Sequence, residues 1–297
     1  MRRVVLLAFI WGWSFLFIKV ASRGLAPVTV ACARVTLGMV VMLAVLRARR
    51  LPMPRQLATW RHFAVMGLLY STVPFSLIAW AERPGRITSA LAAVVNASTP
   101  IFAAVFASVG LSERLGRPQL AGLVVGLAGV GVAAGVGGQD LAASSLTGVG
   151  AVLLASACYG FSFTYAQRHL AGVPPLVATC GQLVAATVLS APAAVVTSVS
   201  SGFHLTGRIA VSITLLGVVG TGIAYVINYQ SIAAIGPTRA SLVTYLVPVV
   251  AVVVGVAFLG EPFHLRLVVG GGLVIGGIAL LQERLRLGRR VVAVRAP

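Results

Sequence analysis

Long runs of apolar residues alternate along the whole chain with short segments that contain polar residues, Gly or Pro. A helix that spans the hydrocarbon core of a bilayer needs about 20 mostly apolar residues. The pattern predicts ten such helices, over residues 4–20, 29–46, 62–81, 87–109, 118–136, 147–166, 175–197, 209–229, 238–259 and 265–282. No segment between them is long enough to form a separate soluble domain.

The first apolar run follows Arg2 and Arg3, as the apolar region of a signal peptide follows its basic start. However, Trp11, Trp13 and Phe17 differ from the small residues that precede a cleavage site. We therefore predict that this run is a membrane helix.

The composition agrees with a membrane protein, because 59% of the residues are hydrophobic and only 9% are charged. A soluble domain carries about 25% charged residues. An ordinary soluble enzyme, a disordered protein and a secreted disulfide scaffold are excluded on this ground. Cys32, Cys158 and Cys180 all fall inside apolar runs without metal-ligand spacing, so we expect inert side chains and no metal site.

The charge is strongly basic, with 23 Lys and Arg residues against 5 Asp and Glu residues and a formal net charge of +18. A nucleic-acid-binding protein is one source of such a balance. Here, though, the arginines lie between the apolar runs, where they orient a chain in a bilayer. Their distribution predicts a multi-pass protein of the cell membrane with both termini in the cytoplasm and no nucleic-acid partner.

The two halves of the sequence match each other at a constant offset of 148 residues. The matched pairs are Pro27 with Pro175, Cys32 with Cys180, Pro100 with Pro248, and Glu113 with Glu261. Each half holds five predicted helices, an odd number, so the second copy must enter the membrane from the opposite side. The predicted fold is therefore an all-α integral membrane protein with ten transmembrane helices in two inverted repeats, residues 1–140 and 141–297. Inverted repeats are typical of secondary transporters.

Several motifs carry a family resemblance over nearly the whole chain. They are the aromatic segment 11–15 (WGWSF), the segment 27–34 that ends in Ala33-Arg34, the segment 89–100 that ends in Thr99-Pro100, Ser112-Glu113-Arg114, and Gly260-Glu261-Pro262. In these the chain resembles the EamA-type ten-helix members of the drug/metabolite transporter superfamily. The resemblance implies secondary transport of a small metabolite without a cofactor, and it favours export. It does not specify the substrate.

Arg34 is the only charged residue well inside a predicted span, and an Arg that faces lipid is costly. One interpretation is that Arg34 clamps an anionic substrate group bidentately. The other is that it extends to the outer surface or binds a backbone carbonyl. Its counterpart in the second half is Gln182, which is also polar.

Other polar and aromatic residues lie at helical spacings that place them on common faces of the first, fourth, sixth, eighth and ninth predicted helices. Helix packing is the alternative role for each. The full set of predicted substrate-binding residues is Arg34, Trp11, Ser14, Asn96, Thr99, Tyr159, Tyr225, Asn228 and Thr244. Pro100 and Pro248 free carbonyls in two of these helices and can kink them.

Glu113 and Glu261 each precede a predicted helix, where a carboxylate satisfies free N–H groups. A role in ion coupling is the alternative; if a proton is coupled, Glu82, Glu113 or Glu261 must carry it. The glycines of the fifth and tenth helices predict close helix packing, and a homodimer contact is the other use of such a face. They lie at positions 122, 126, 129, 270, 271, 272, 276 and 277.

The sequence therefore predicts a secondary transporter that moves a small organic metabolite, such as an amino acid, across the cytoplasmic membrane by alternating access. Multidrug efflux is the second hypothesis. A membrane-embedded enzyme is disfavoured, because only five acidic residues are present and they are scattered. The sequence contains no phosphate-binding GxxxxGK[ST] motif for ATP-driven transport.

Overall fold

The computed structural model describes residues 1–111, 115–136, 143–236 and 240–293, and within these ranges the chain is helical and contains no strand. Ten apolar helices follow one another in the described ranges. They are α1 (Arg2–Ala21), α2 (Pro27–Ala48), α3 (Leu57–Ala81), α4 (Ser89–Gly110), α5 (Arg117–Ala134), α6 (Ala143–His169), α7 (Pro175–Ser201), α8 (Gly207–Ile235), α9 (Val243–Leu259) and α10 (Leu265–Ala293).

Eight of these helices, α1 to α8, are long and apolar enough to cross a membrane by length and composition. The other two apolar segments are shorter, Val243–Leu259 in α9 and Leu265–Leu281 in α10. Helix α9 starts later than the sequence predicts because a turn occupies residues 241–242, and it ends where Gly260 adopts a left-handed conformation. The structure thus agrees with the prediction of ten apolar helices. Eight of them reach the length expected of a membrane-spanning helix.

Equivalent prolines start the counterpart helices α2 and α7, and a threonine caps each of two other helices. Pro27 and Pro175 each occupy the first position of their helix, α2 and α7, where the missing N–H group of proline removes no hydrogen bond. Thr88 and Thr206 cap α4 and α8, since their hydroxyl oxygens accept hydrogen bonds from the backbone N–H groups of Leu91 and Ile209.

Two helices contain wider π-helical turns at equivalent places, Gly67–Thr72 in α3 and Leu215–Ile223 in α8. In α3 the turn precedes Pro74, which has no N–H group to donate to the preceding turn. Helix α4 is interrupted at residues 97–98, just before Pro100, as a proline-induced kink would require. Pro248, by contrast, lies inside α9 without interrupting it.

The two halves pack against each other through many helix pairs. Helix α2 runs antiparallel to its counterpart α7, because Thr29 lies near Thr197 and Ser198 whereas Thr36 lies near Thr187. Other pairs occur twice: α1 packs on α9 as α6 packs on α4, and α3 packs on α6 as α8 packs on α1. Most of the core therefore lies at the interface between the halves.

Helices α5 and α10 form a second antiparallel pair of counterparts, and glycines allow their backbones to approach closely. Gly122 lies against Gly277, and Gly129 lies against Gly270. This is the helix packing that the glycine pattern predicts. Not all the glycines take part, because a side chain on Gly272 or Gly276 would project into open space.

The outer surface of the bundle is strongly apolar. Val109 and Val199, for example, are 80% and 82% exposed, and many other large apolar side chains on α1, α7, α9 and α10 are also exposed. Such a surface is unfavourable in water and is suited to contact with lipid acyl chains.

A single methyl group tests the contact between α5 and α10. The Cβ of Gly277→Ala would lie 2.5 Å from the Gly122 carbonyl oxygen and 2.6 Å from the Gly126 nitrogen. We expect this overpacking to lower the free energy of unfolding by about 1–3 kcal/mol. The matched control is Gly276→Ala, which meets no atom within 4 Å and should leave stability unchanged or raise it. Reversible unfolding in mixed micelles measures both, and equal stability of the two variants would contradict the packing described.

Candidate functional site

A cavity of about 400 Å³ lies between the two halves and receives side chains from α1, α2, α3, α4, α6, α8 and α9. This volume is within the range of small-molecule sites, about 300–1,000 Å³. The lining is mainly apolar and aromatic, with a few polar groups. Among the described residues that line it, Arg34 is the only charged one.

All nine residues predicted to bind substrate lie at this cavity. They are Trp11 and Ser14 from α1, Arg34 from α2, Asn96 and Thr99 from α4, Tyr159 from α6, Tyr225 and Asn228 from α8, and Thr244 from α9. Residues far apart in sequence thus share one site. Their role in binding stays a prediction, since a cavity position does not by itself establish a contact with substrate.

Arg34 is held from two sides within the bundle and is only 7% exposed. Its Nε donates a hydrogen bond to Thr221 Oγ1 at 2.9 Å, and its guanidinium carbon lies 3.9 Å from the centre of the Phe75 ring. A cation over an aromatic face is stabilised by the ring quadrupole. In this conformation the side chain does not extend to the outer surface, and its described partners are a hydroxyl and a ring rather than a backbone carbonyl.

The π-helical turn of α8 supplies polar groups that bind two residues of the cavity lining, Arg34 and Trp11. Thr221 Oγ1 donates to the Leu216 carbonyl at 3.0 Å while it accepts from Arg34. The neighbouring Gly220 carbonyl accepts a hydrogen bond from Trp11 Nε1 at 3.2 Å. In a regular helix the backbone polar groups bond to one another, whereas this π-helical turn offers polar groups to side chains from other helices. Such turns are frequent at functional sites.

Tyrosine rings form one wall of the cavity. Tyr70, from the π-helical turn of α3, lies 5.4 Å from Tyr159 and 6.4 Å from Tyr225 between ring centroids. Phe75 contacts Tyr159 at 6.4 Å and so connects this wall with Arg34. The sequence prediction missed Tyr70, Phe75 and Thr221. Their proximity to Pro74 or to a glycine-rich segment was the available signal.

Polar groups of α4 and α9 also line the cavity. The interruption of α4 leaves the Asn96 carbonyl free to accept a hydrogen bond from Thr99 Oγ1 at 2.8 Å. Ser156 Oγ lies 3.5 Å from Asn96 Oδ1, so α6 also contacts these groups. Thr244 faces the same cavity from α9. The break in α4 therefore exposes polar groups towards the cavity.

Glu261 caps a helix, but not the one that the sequence suggested. Its Oε1 and Oε2 accept hydrogen bonds from the backbone N–H groups of Ser89 and Ala90, at 2.7 and 3.1 Å. These are the first residues of α4, in the other half, and not of the α10 helix that Glu261 precedes. Only the tertiary contact between the halves brings them together. Glu113 lies outside the described residues.

Metal-ligand side chains are dispersed in the part of the chain that the structure describes. No group of three or more His, Cys, Asp or Glu residues is placed to hold a metal ion there. Cys32, Cys158 and Cys180 are free thiols in those residues.

The apolar helices, the apolar outer surface and the central cavity define a multi-pass membrane protein. The model of the EamA-like transporter family matches residues 3–134 and 146–282, so the chain belongs to the EamA-like transporter family, with one match in each half. The family is part of the drug/metabolite transporter superfamily. The partners of this protein are accordingly a lipid bilayer and a small-molecule substrate.

Curated relatives span nearly the same length. A probable terminal-alkyne amino-acid exporter of Streptantibioticus cattleyicolor is 29% identical, over 97% of this chain and 94% of that protein. An uncharacterized transporter of Archaeoglobus fulgidus is 26% identical over 92% and 95%. The uncharacterized inner membrane transporter YedA of Escherichia coli K12 is 28% identical over 85% and 80%. A crystal structure of a protein with 24% identity matches at a TM-score of 0.66 over 97% of each chain, which shows a shared fold.

The hydrogen bond between Arg34 and Thr221 can be removed with little change in shape. Thr221→Val keeps the volume but leaves Arg34 Nε and the Leu216 carbonyl without their described partner. We expect the free energy of unfolding to fall by about 1–3 kcal/mol, as for buried groups left unsatisfied. The control is Thr214→Val on the same helix, whose exposed hydroxyl bonds only to the Ala210 carbonyl. Unfolding in mixed micelles measures both, and equal losses would show that the Arg34 contact contributes nothing.

Proposed function

We propose that the protein is a secondary transporter that exports a small organic metabolite carrying a carboxylate, such as an amino acid, across the cytoplasmic membrane. The observation that carries the proposal is the cationic Arg34 at a mainly apolar cavity between the two halves. Of the hydrogen bonds described for Arg34, the one to Thr221 occupies Nε and leaves the terminal amino groups for a ligand. Two parallel N–H···O bonds to a carboxylate suit this geometry.

The remainder of an amino acid also has partners in the cavity. An ammonium group is stabilised by the faces of aromatic rings, which Tyr70, Tyr159 and Tyr225 provide, and by amide oxygens such as those of Asn96 and Asn228. An apolar side chain fits the remaining lining. The relative named a probable terminal-alkyne amino-acid exporter supports this substrate class and the direction of export.

Alternating access between two inverted five-helix halves is the proposed mechanism. Two pairs of counterpart helices, α2 with α7 and α5 with α10, run antiparallel. An approximate twofold axis that relates antiparallel helices is perpendicular to them, and it lies in the membrane plane when the helices span the membrane. This geometry supports the inverted repeat, in which rocking of one half against the other exposes a central site to each side in turn.

The proposed orientation places both termini in the cytoplasm, following the distribution of arginines. In that orientation the cavity extends to Ile232 and Ser241 near the cytoplasmic ends of α8 and α9. The opposite end is closed by the bonds of Glu261 to α4 and by a bond from Lys19 Nζ to the Ile87 carbonyl at 2.6 Å. The conformation is therefore interpreted as open towards the cytoplasm, ready to load an exported substrate.

Multidrug efflux is the second candidate function, and the aromatic wall favours it, since flat apolar molecules stack on such rings. Arg34 weighs against cationic drugs, because a buried positive charge repels them. The described cavity residues contain neither a metal cluster nor a paired acid and base that would favour an embedded enzyme. Carboxylate recognition is thus the discriminating property.

Arg34 variants test carboxylate recognition. Counterflow of labelled L-amino acids in proteoliposomes measures the apparent affinity for the amino acid. For Arg34→Ala this affinity should fall about 10-fold to 100-fold, since bonds to charged groups contribute about 1.5–3 kcal/mol. Arg34→Lys should lose less, because it keeps the charge but not the planar fork.

Amino-acid amides, which lack the carboxylate, provide the matched comparison. They should compete poorly with the amino acid for the wild-type protein, somewhat better for Arg34→Lys, and about as well as an amino acid for Arg34→Ala. Carboxylate recognition would be overturned if Arg34→Ala transported amino acids normally. It would also be overturned if amides competed strongly with amino acids for transport by the wild type. Transport of cationic drugs alone would favour the second candidate.

The proposed topology is tested with single cysteines in a cysteine-free background. Exposed positions Gln56, before α3, and Leu205, before α8, should react with a membrane-impermeant thiol reagent from opposite sides of the membrane. In intact cells only Leu205→Cys should react, whereas in permeabilised cells both should. Reaction of both from one side would refute the inverted arrangement.

A further inference from the structure

A buried carboxyl group that the proposed binding site does not use lies just beyond the closed end of the cavity. Glu82 directly follows α3, one turn after Ile78, which lines the cavity, and its side chain is 0% exposed. Its Oε2 is 3.0 Å from Ser89 Oγ. Its Oε1 is buried and has no hydrogen-bond partner among the described residues.

The hydrogen bonds of Ser89 favour a protonated Glu82. The Ser89 hydroxyl has one proton and lies within reach of two acceptors, Glu82 Oε2 and the Phe15 carbonyl oxygen at 3.4 Å. When Glu82 carries a proton, it donates to Ser89 Oγ, and Ser89 donates to Phe15, so both acceptors are satisfied. An ionised Glu82 would instead keep its charge buried against a single neutral hydroxyl, which is unfavourable.

The neighbouring Glu261 has the opposite environment. Its two oxygens accept backbone N–H bonds at the start of α4, where the helix dipole also favours negative charge. Both carboxyl groups contact Ser89, and two like charges so close disfavour double ionisation. Of the two carboxyl groups, Glu82 is therefore the one whose surroundings favour a bound proton.

Three charged groups surround Glu82 from the helices packed against it. Burial raises the pKa of its carboxyl well above the ordinary value, and the negative charge of Glu261 acts in the same direction. Lys19 on α1 and Arg34 on α2 act in the opposite direction, since their positive charges favour the ionised form. The positive charge of Arg34 at the cavity thus favours the ionised form of Glu82, as the smallest of these effects.

We propose that Glu82 is a proton-binding site whose occupancy is linked to an anion bound at Arg34. The proton site stands on the geometry around Ser89, whereas the anion part rests on the proposed function. The linkage concerns the binding step and is independent of the direction of transport.

The sign of the linkage follows from the charges. A free Arg34 favours ionised Glu82, and a carboxylate on Arg34 cancels that effect. Bound anion and bound proton therefore favour each other, by the same factor in both directions. Affinity for a carboxylate should rise as the pH falls through the range in which Glu82 takes up its proton, on the order of tenfold. Glu82→Gln imitates the protonated form, so it should bind tightly at all pH values.

Infrared spectroscopy of the purified protein in lipid tests the proton site without any substrate. The chain has only five acidic residues, so the C=O absorption of a protonated carboxyl at neutral pH is readily assigned. The wild type should show this band, Glu82→Gln should lose it, and the control Glu261→Gln should keep it. A band that persists in Glu82→Gln, or that is missing from the wild type, would overturn the proposal.

Infrared titration of the Glu82 band also measures the effect of the Arg34 charge on proton binding. Arg34→Gln removes the positive charge, so the titration midpoint of the Glu82 band should move to higher pH than in the wild type. Glu261→Gln removes a negative charge and should move it to lower pH. A midpoint that is unchanged in Arg34→Gln would refute the linkage, and this result does not depend on the identity of the substrate.

Binding of L-propargylglycine, a terminal-alkyne amino acid, completes the test. The wild type should bind it more weakly as the pH rises through the titration midpoint of the Glu82 band, and Glu82→Gln should show no such dependence. Equal pH dependence of the two would refute the linkage. If the Glu82 band behaves as expected but no amino acid binds, the proton site is supported and the amino-acid part of the proposed function fails.

Discussion

The requirement that polar groups within an apolar environment find partners inside the protein governs the centre of this molecule. Arg34 meets it through the hydroxyl of Thr221 and the ring face of Phe75. The Gly220 carbonyl accepts a hydrogen bond from Trp11, and free N–H groups at the start of α4 donate hydrogen bonds to Glu261. Each of these bonds joins residues from different halves or different helices, so the same contacts that satisfy polar groups also hold the halves together.

The two halves share a plan but contribute different chemistry to the cavity. Both α3 and α8 have a π-helical turn at the same place, yet the first provides the ring of Tyr70 and the second provides the hydroxyl of Thr221. Arg34 likewise has a neutral counterpart, Gln182. The paired framework suits a movement between two equivalent arrangements, whereas the unequal side chains give the cavity one cationic end. The differences between the repeats thus make the cavity chemically asymmetric.

The closed end of the cavity combines helix capping with charge. Glu261 belongs to the segment between α9 and α10 but stabilises the first turn of α4, and Ser89 in that turn also contacts Glu82. The contacts of Ser89 thus join the proposed proton site at Glu82 to the capping of α4 by Glu261.

The helical fold class was predictable from the sequence because the physical rule is local: a long apolar segment buries its backbone polar groups by forming a helix. Matching of Pro27 with Pro175 and of Cys32 with Cys180 likewise indicated two related halves. The nine polar and aromatic residues now found at the cavity were recognisable because each is costly or unusual at membrane depth, as Arg34 is.

Only the tertiary structure decided which residues meet. Thr221 and Phe75 lie far from Arg34 in the sequence, and neither is unusual in an apolar run, so no pattern marks them as its partners. Glu261 was correctly associated with free N–H groups, but the helix it caps depends on how the halves pack. Glu82 was one of three carboxyl groups that could carry a coupled proton, and no pattern distinguished it from Glu113 and Glu261. Its burial, and hence its chemistry, arises from the convergence of α1, α2, α4 and the segment after α9, which no local interaction determines.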